Sequence, residues 1–382
     1  MAFRHIRIAA RRTTMSQAAP EMVDASRPSQ SATKLPFTLR LKAWWEGYDP
    51  VQYAAWLERK AGGAAEKQEE SGPGPAPEPE PDPESEPESE PESAPVDETA
   101  TSSAPADPLV PVDPWDKRRT AIAQYIWGEG YCGPGGPEHV ISMSKLLALS
   151  PKQSLLEIGS NLGGPARTLA QKFGVWVSGY ESSATLVEMG NQISYMKGLL
   201  KKAEIFHYDP NTIEEFDRRF DRALAKESLY QIENKAHLLT VVERHLKPGS
   251  LFLITDYVLA DESWVATDEY RDWRDSEAER RRPYLATTDD LISMLKKVRF
   301  NIRVNEDVSE HYIELINESW KGADQVAAKV AEEEDGEELV RTLLREAEFW
   351  SRRVRLLKAG RIQVRRILAS KKAEKPSMLS DW

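Results

Sequence analysis

The residues with the clearest chemical potential form one run in the middle of the chain, at 155–167, which reads Leu-Leu-Glu-Ile-Gly-Ser-Asn-Leu-Gly-Gly-Pro-Ala-Arg. An apolar strand pattern leads into Gly159, and a helical pattern begins at Gly164. Gly159 permits a tight turn, while Gly163 and Gly164 have no Cβ to keep a ligand away from the backbone. The following helix offers free N–H groups at its N-terminus. This arrangement predicts a cofactor-binding turn at Glu157, Gly159, Ser160, Gly163 and Gly164.

Acidic residues stand at the ends of three successive predicted strands. Glu157 closes the first strand; it would repel the pyrophosphate of a dinucleotide but would attract the ammonium group of a methionine moiety. Glu181 lies 22 residues after Gly159, where a carboxylate can accept hydrogen bonds from both ribose hydroxyls. Asp209 follows the third strand and could accept from an adenine amino group. The joint spacing favours S-adenosylmethionine over a nicotinamide dinucleotide, with further cofactor contacts predicted at Ser182, Pro210 and Lys226.

Alternating strand and helix patterns from Val112 onward must position these residues. The predicted strands are 153–158, 175–180, 203–207, 222–225, 250–256, 301–305 and 361–368, and the predicted helices are 164–173, 184–201 and 235–246. This order predicts a parallel sheet with helices on both faces, the Rossmann-like α/β fold of class I methyltransferases. The region 261–350 is mostly helical in pattern and is predicted to form a lid over the substrate.

The chain divides by composition into five segments. We predict a disordered N-terminus at 1–35, an aromatic docking segment at 36–60, a disordered Pro/Glu-rich linker at 61–111, a methyltransferase domain at 112–370 and a tail at 371–382. Residues 63–111 carry 14 acidic side chains and one lysine, a net charge of −13, so the rest of the chain sums to about +2 of the total of −11. The charge of the folded part therefore says little about its ligand.

The segment 36–60 places tryptophans and tyrosines among basic residues, in the pattern of two short amphipathic helices broken at 47–50. So small a pair cannot bury its aromatic surface alone, which predicts docking on the main domain, on a protein partner or on a membrane surface. The first twelve residues hold four arginines and no acid, as in a transit peptide; we favour Met15 as the native start.

Cysteine, hydropathy and motif patterns exclude several classes of function. The single cysteine, Cys132, allows no intrachain disulfide and predicts a reducing, cytoplasmic location, with peripheral membrane contact as an option. No apolar run approaches the ~20 residues that cross a bilayer. The six histidines lack the spacing of a metal site, and the basic residues are not gathered on one face. Neither a metal nor a nucleic-acid partner is expected.

Motifs outside the glycine turn carry a more specific resemblance. Trp-Gly-Glu-Gly-Tyr at 127–131, followed by Gly-Gly-Pro-Glu at 135–138, is similar to the opening segment of the phosphoethanolamine N-methyltransferases, a branch of the class I enzymes. Leu-Lys-Pro-Gly at 246–249 and Leu-Ile-Thr-Asp-Tyr at 253–257 resemble that family's fourth-strand signature. The motif Gly-Gly-Pro-Ala-Arg at 163–167 is similar to the corresponding motif of sterol methyltransferases. The resemblance covers roughly residues 114–368.

The resemblance implies roles for individual residues. Tyr131 would lie in a loop that covers the cofactor, and Tyr257 would hold a substrate phosphate. Further substrate positions implied in the same way are Arg281, Arg282, Tyr284, Arg352 and Arg353.

Two departures concern the proton-accepting residues. The family uses a tyrosine and a histidine where this chain has Trp115 and Gln231, and neither of these can accept a proton at neutral pH. Glu227 stands where the family has an aspartate, and it, Tyr230 or Tyr125 could serve as the base instead. Trp115 could stack on a cationic amine.

The function that these residues indicate is S-adenosylmethionine-dependent N-methylation of a small amine, a phosphobase or a phospholipid head group. The alternative is a catalytically degenerate methyltransferase-fold protein that acts as a cofactor-binding or scaffold module.

Overall fold

The computed structural model describes residues 35–65, with gaps at 37–38, 41, 44–47 and 49, together with residues 113–278 and 282–372. Most of the predicted disordered N-terminus, linker and tail lies outside these ranges, as does Arg281. Within them, no helix is long and apolar enough to span a bilayer.

The described helices and strands alternate through most of the chain. The helices are α1 (Pro50–Ala65), α2 (Lys117–Trp127), α3 (Gly136–Ser144), α4 (Gly164–Phe173), α5 (Ala184–Met196), α6 (Lys235–His245), α7 (Asp268–Ala278), α8 (Thr288–Lys297), α9 (Ser309–Trp320), α10 (Ala323–Val330) and α11 (Gly336–Lys358). The strands are β1 (Ser154–Ile158), β2 (Trp176–Glu181), β3 (Ala203–His207), β4 (Phe220–Lys226), β5 (Leu246–Leu259), β6 (Phe300–Asp307) and β7 (Ile362–Lys371).

The seven strands form one sheet in the order β3-β2-β1-β4-β5-β7-β6. The first five strands in the chain pair in parallel, and β7 pairs antiparallel with both β5 and β6. Parallel pairing brings the carboxyl ends of β1, β2, β4 and β5 to one edge of the sheet. The predicted class I fold is therefore confirmed, and the predicted strand-end residues lie along this edge.

Several boundaries differ from the sequence prediction, and two of these differences have a clear physical reason. Helix α5 ends at Met196 rather than at 201, because Gly198 turns the chain with a φ of +66°. Strand β5 extends to Leu259 rather than 256, because its second half pairs with the antiparallel strand β7 as far as the pair Leu259–Ile362.

Helical insertions flank the last two strands of the sheet. Helices α7 and α8 lie between β5 and β6, and α9, α10 and α11 lie between β6 and β7. The insertion packs on α2 through aromatic rings: the Trp127 ring centroid lies 4.6 Å from that of Trp350 and 6.3 Å from that of Trp320. Helix α11 continues to Lys358, beyond the predicted lid boundary at 350.

Part of the predicted docking segment is described. Tyr48 and Tyr53 stack with ring centroids 5.5 Å apart, and Tyr53 is buried. Residues 35–54 belong to the same compact unit as residues 113–372, and Arg40 lies near the Glu348 carboxylate of α11. Helix α1 continues to Ala65, past the predicted start of the linker. A protein or membrane partner for this segment stays a prediction.

The centre of the sheet should carry much of the stability. Leu253 in β5 is fully buried and pairs with Leu224 on one side and Leu368 on the other. We expect Leu253→Ala to lower the free energy of unfolding by about 2–5 kcal/mol, because it leaves a cavity in the core. Urea denaturation measures this; the control Val265→Ala, at an exposed site, should change it by less than about 0.5 kcal/mol. Equal effects of the two changes would contradict this account.

Candidate active site

Gly159 brings the turn after β1 against the loop after β4. Its φ is +71°, and a Cβ at this position would lie 2.3 Å from the Ser228 Cβ. Gly164 is equally confined, because its N–H donates to the Gly130 carbonyl at 2.9 Å and a Cβ there would lie 2.4 Å from that oxygen. The sequence predicts Gly159 for a tight turn and Gly164 for close approach of a ligand. In the structure, the chain's own backbone and side chains also require them.

Glu157 is the buried acid at the end of β1. It is 1% exposed, and the Ser160 hydroxyl donates to its Oε2 at 2.6 Å. Burial raises the pKa of Glu157 to about 7, against the opposing effects of the Ser160 hydrogen bond and of Arg167. Because a carboxylate can accept about four hydrogen bonds, Glu157 retains capacity for an ammonium group. The residue therefore fits the methionine end of S-adenosylmethionine.

Glu181 is the buried acid at the end of β2, and backbone donors fix its orientation. Its carboxylate accepts from the N–H groups of Asn161 at 3.0 Å, Ser182 at 2.8 Å and Ser183 at 2.9 Å. The donor from Asn161 comes from the glycine turn itself, so Glu181 ties that turn to β2. The Ser182 hydroxyl also donates to this carboxylate at 3.3 Å, so ribose hydroxyls would share or replace hydrogen bonds that the chain already makes.

The predicted adenine contact, Asp209, lies in a different environment. Its carboxylate is exposed and accepts from the Asn211 N–H and the Thr212 hydroxyl, both at 2.9 Å. Pro210 follows it in the same turn. The structure thus places Asp209 after β3, as predicted, and its present hydrogen bonds are those of a local turn.

The opening segment 113–136 lies over the glycine turn. Tyr131 is buried, and its hydroxyl shares a 2.6 Å hydrogen bond with Thr168 on α4. Asp113 accepts from the Ser183 hydroxyl at 2.7 Å, so the start of this segment is attached to the turn after β2. The segment therefore contacts two of the three turns that would hold the cofactor.

Trp115, the predicted platform for a cationic amine, already has a cation on its ring. The Arg119 guanidinium carbon lies 4.0 Å from the Trp115 ring centroid, and Arg119 also pairs with Glu346 at 2.9 Å. This face of the indole therefore serves the packing of α2 on α11.

The end of β4 carries a buried ion pair. Lys226 and Glu227 are in contact, and the Lys226 Nζ donates to the Pro134 carbonyl at 2.9 Å. Lys226, predicted as a cofactor contact, is thus bound to the chain's own groups. Glu227 has a φ of +53°, a strained conformation for a residue other than glycine, which holds its carboxylate near Gly133 and Tyr312.

Asp256 is a site residue that sequence reasoning did not assign. It is buried in β5 and accepts from the N–H groups of Ser228 at 3.0 Å, Leu229 at 2.6 Å and Tyr257 at 2.8 Å. Burial raises its pKa to about 7 despite these bonds. Asp256 fixes the loop that carries Glu227. The sequence signal that could have identified Asp256 was an acidic residue inside an apolar strand pattern.

The Tyr230 hydroxyl accepts hydrogen bonds from two neighbouring side chains. The Gln231 amide donates to the Tyr230 hydroxyl, and the Arg353 guanidinium donates to the same hydroxyl at 2.9 Å. Burial raises the pKa of Tyr230, so it is a neutral phenol at neutral pH. This environment does not favour Tyr230 as the base. Among the proposed bases, the Glu227 carboxylate is better placed.

Arg353 lies inside a group of aromatic rings that we call the Arg353 cluster. Its guanidinium carbon is 4.7 Å from the centroids of both Tyr230 and Tyr257, 4.4 Å from that of Phe349 and 5.5 Å from that of Trp350. Arg353 is 3% exposed and pairs with Glu277, itself 1% exposed, at 3.0 Å. Nothing in the sequence indicated Glu277, because the pair depends on how α7 packs on α11.

Among the other predicted substrate residues that the structure describes, Tyr284 reaches the cluster through its backbone, since its N–H donates to the Tyr230 carbonyl at 2.7 Å. Arg352 is turned to Ser276 and to Glu348, the latter at 3.0 Å. Arg282 is exposed, and Tyr284 lies with it along an open groove of about 760 Å³ that also includes Glu233 and Lys235. The structure thus joins Tyr257 with Arg353 but does not bring the side chains of Arg282, Tyr284 or Arg352 to them. Across the described ranges, no group of three or more His, Cys, Asp or Glu residues could hold a metal ion.

Comparisons with known proteins agree with this fold. The family model for a methyltransferase domain matches residues 140–303. The phosphoethanolamine N-methyltransferase of Plasmodium falciparum is 26% identical over 204 residues, which are 52% of this chain and 73% of that protein. Phosphoethanolamine N-methyltransferase 3 of Arabidopsis thaliana is 30% identical over 142 residues, 37% of this chain and 29% of that protein. The chain thus spans most of the Plasmodium relative but less than a third of the plant protein.

A solved structure with a similar fold is phosphoethanolamine N-methyltransferase 2 of Haemonchus contortus, in complex with phosphomonomethylethanolamine and S-adenosylhomocysteine. Its TM-score is 0.58 at 20% identity, over 67% of this chain and 57% of that chain. At this identity the likeness establishes the fold. Together with the family model, it confirms the class I methyltransferase assignment and the resemblance to this branch.

The geometry at Glu181 predicts the effect of removing its charge. We expect Glu181→Gln to weaken S-adenosylmethionine binding about tenfold or more, because an amide accepts fewer hydrogen bonds from ribose hydroxyls and donates where the carboxylate accepts. Isothermal titration calorimetry measures the affinity. The control Glu204→Gln, an exposed acid on β3, should bind as the unaltered protein does. Unchanged affinity in Glu181→Gln would show that the strand-end assignment is wrong.

The environment of Glu157 predicts a pH dependence. Since its pKa is raised to about 7, the carboxylate that attracts the ligand ammonium is lost as the pH falls below 7. We expect affinity for S-adenosylmethionine to rise between pH 5.5 and 7.5, by up to about tenfold per pH unit below 7. Glu157→Gln should bind more weakly and with a flat profile. A flat profile in the unaltered protein would contradict the role of Glu157.

Proposed function

The chain carries a class I S-adenosylmethionine-dependent methyltransferase domain, with S-adenosylmethionine as its cofactor, and from this premise we propose that it methylates the nitrogen of a small amine. The amine is free, or belongs to a phosphobase or a phospholipid head group. The names of the curated relatives, phosphoethanolamine N-methyltransferases, support an amine acceptor.

The observation that carries this proposal is the chemistry at the ends of β4 and β5. The Glu227 carboxylate and the tyrosine rings of the Arg353 cluster lie there, and Ser228, next to Glu227, lies against Gly159 of the cofactor turn. Carboxylates and aromatic faces both attract cationic nitrogen. The acceptor side and the cofactor side of the site therefore meet at residues 227–228.

The side chains present account for the steps of such a transfer. Bound S-adenosylmethionine supplies a methyl group on a positively charged sulfur. The acceptor nitrogen must be unprotonated, and Glu227 can take its proton, directly or through water. As the N–C bond forms, the C–S bond breaks with its electron pair kept by sulfur. The Arg353 guanidinium lies over one face of each of the Tyr257 and Tyr230 rings, so any attraction of the positive charge that develops on nitrogen falls to their opposite faces.

A second candidate is a cofactor-binding module without turnover. The observation that favours it is that the chain's own groups engage both departures from the family pattern: Arg119 covers Trp115, and Gln231 is bound to Tyr230. Binding of the cofactor together with no methyl transfer to any acceptor would support this second reading.

Removal of the Glu227 carboxylate tests the proposal. The measurement is a screen for transfer of a radiolabelled methyl group from S-adenosylmethionine. Its acceptors are ethanolamine, the mono- and dimethyl forms of ethanolamine, their phosphate esters and phospholipid vesicles. Glu227→Gln should lower kcat by about a hundredfold or more on the amine that accepts, and raise KM less, because a lost general base affects the chemical step. Glu227→Asp should retain part of the activity.

Two controls distinguish a loss of the general base from a loss of cofactor binding or of folding. S-adenosylmethionine affinity of Glu227→Gln, measured by calorimetry, should stay within a few fold of the unaltered protein, and Glu204→Gln should keep full activity. Equal kcat values for the unaltered protein and Glu227→Gln would exclude Glu227 as the base.

A further inference from the structure

We infer that Glu277 occupies the anion-binding position of Arg353, so the acceptor of this site is an amine without a phosphate group. The inference rests on the proposed function and narrows its substrate class. In this inference Glu277 determines the specificity for unphosphorylated over phosphorylated amines.

The contact between Glu277 and Arg353 is buried and specific. The Arg353 Nη2 lies 3.0 Å from the Glu277 Oε2, and both side chains are almost fully buried. Four aromatic rings surround the guanidinium, and its second hydrogen bond runs to the Tyr230 hydroxyl. Rings offer no negative charge that could replace a carboxylate. Glu277 is therefore the charged partner that makes a buried arginine tolerable here.

A phosphate group would have to displace this carboxylate. Glu277 would then remain buried beside the phosphate without its cation, and two like charges would share a low-dielectric site. Leaving a buried charge unpaired is among the most costly changes in a protein interior. The pair thus selects against a phosphorylated acceptor through repulsion, which is a common source of specificity.

The other described cations near the cluster have partners of their own. Lys226 is in contact with Glu227, and Arg352 pairs with Glu348. Asp256 adds a further acidic group beside Tyr257. Arg355 also faces Glu348, and the Lys235 ammonium donates to the carbonyls of Ile232 and Tyr284. The selection against a phosphate therefore rests on the buried Arg353–Glu277 pair and not on a shortage of positive charge around it.

An unphosphorylated amine meets the opposite conditions. It carries no anion to compete with Glu277, and Glu227 can accept its proton. The Arg353 guanidinium lies over one face of each of the Tyr230 and Tyr257 rings, so the methylated ammonium product would meet their opposite faces. The Arg353–Glu277 pair then acts as a neutral wall of the site.

Two measurements test the inference, and the first needs no variant. Calorimetry follows binding of O-phosphoethanolamine, and of inorganic phosphate, to the full chain saturated with S-adenosylhomocysteine. We expect no binding at millimolar concentrations for the unaltered protein and clear binding for Glu277→Gln, in which Arg353 has lost its anionic partner. The control Glu204→Gln removes an exposed carboxylate on β3 and should behave as the unaltered protein. Phosphate binding with Glu277 intact would overturn the inference.

The second measurement compares turnover of ethanolamine and O-phosphoethanolamine. The unaltered protein should prefer ethanolamine at least tenfold in kcat/KM, and Glu277→Gln should shift this ratio at least tenfold towards the phosphorylated amine. Equal or greater activity of the unaltered protein on O-phosphoethanolamine would overturn the inference while supporting the proposed function. If neither amine is methylated, the proposed function fails on these acceptors, and the calorimetric result alone decides whether Glu277 blocks an anion site. Should Glu277→Gln not fold, the measurements on the unaltered protein still decide.

Discussion

The close approach of the turn after β1 to the loop after β4 is the contact on which the site depends. Gly159 has no Cβ, and the Ser228 side chain takes the space that a Cβ would need. Because β1 and β4 are parallel neighbours, this contact places the buried Glu157 and the strained Glu227 at one edge of the sheet. Asp256 holds the loop in position by accepting hydrogen bonds from the N–H groups of Ser228 and Leu229. A larger residue at 159 would separate the two halves of the site.

The parts of the structure that follow from local pattern could be predicted from the sequence. The glycine turn, the acids at the ends of β1 and β2 and the parallel sheet all come from short-range signals, namely apolar runs, glycine spacing and the residue at each strand end. The position of Asp209 also follows, although its hydrogen bonds are those of an exposed turn.

The acceptor side could not be predicted in the same way, because it is built by the packing of α7 and α11. The sequence places Arg352 and Arg353 side by side on a helix, yet one faces Ser276 and Glu348 while the other enters an aromatic cluster. Glu277 is one acid among many in α7. Which arginine meets which carboxylate depends on helix rotation and register, and these are settled by tertiary contacts far apart in sequence.

The hydrogen bond from the Gly164 N–H to the Gly130 carbonyl has a kinetic consequence. This hydrogen bond and the one between Asp113 and Ser183 hold the opening segment against the glycine turn. Because the carboxylates of Glu157 and Glu181 are almost fully buried, a ligand can reach them only if the wall around them opens, and it must leave by a similar movement. If the opening segment is the part that moves, the lifetime of its closed state sets an upper limit on how fast spent cofactor can be exchanged, however fast the chemical step is.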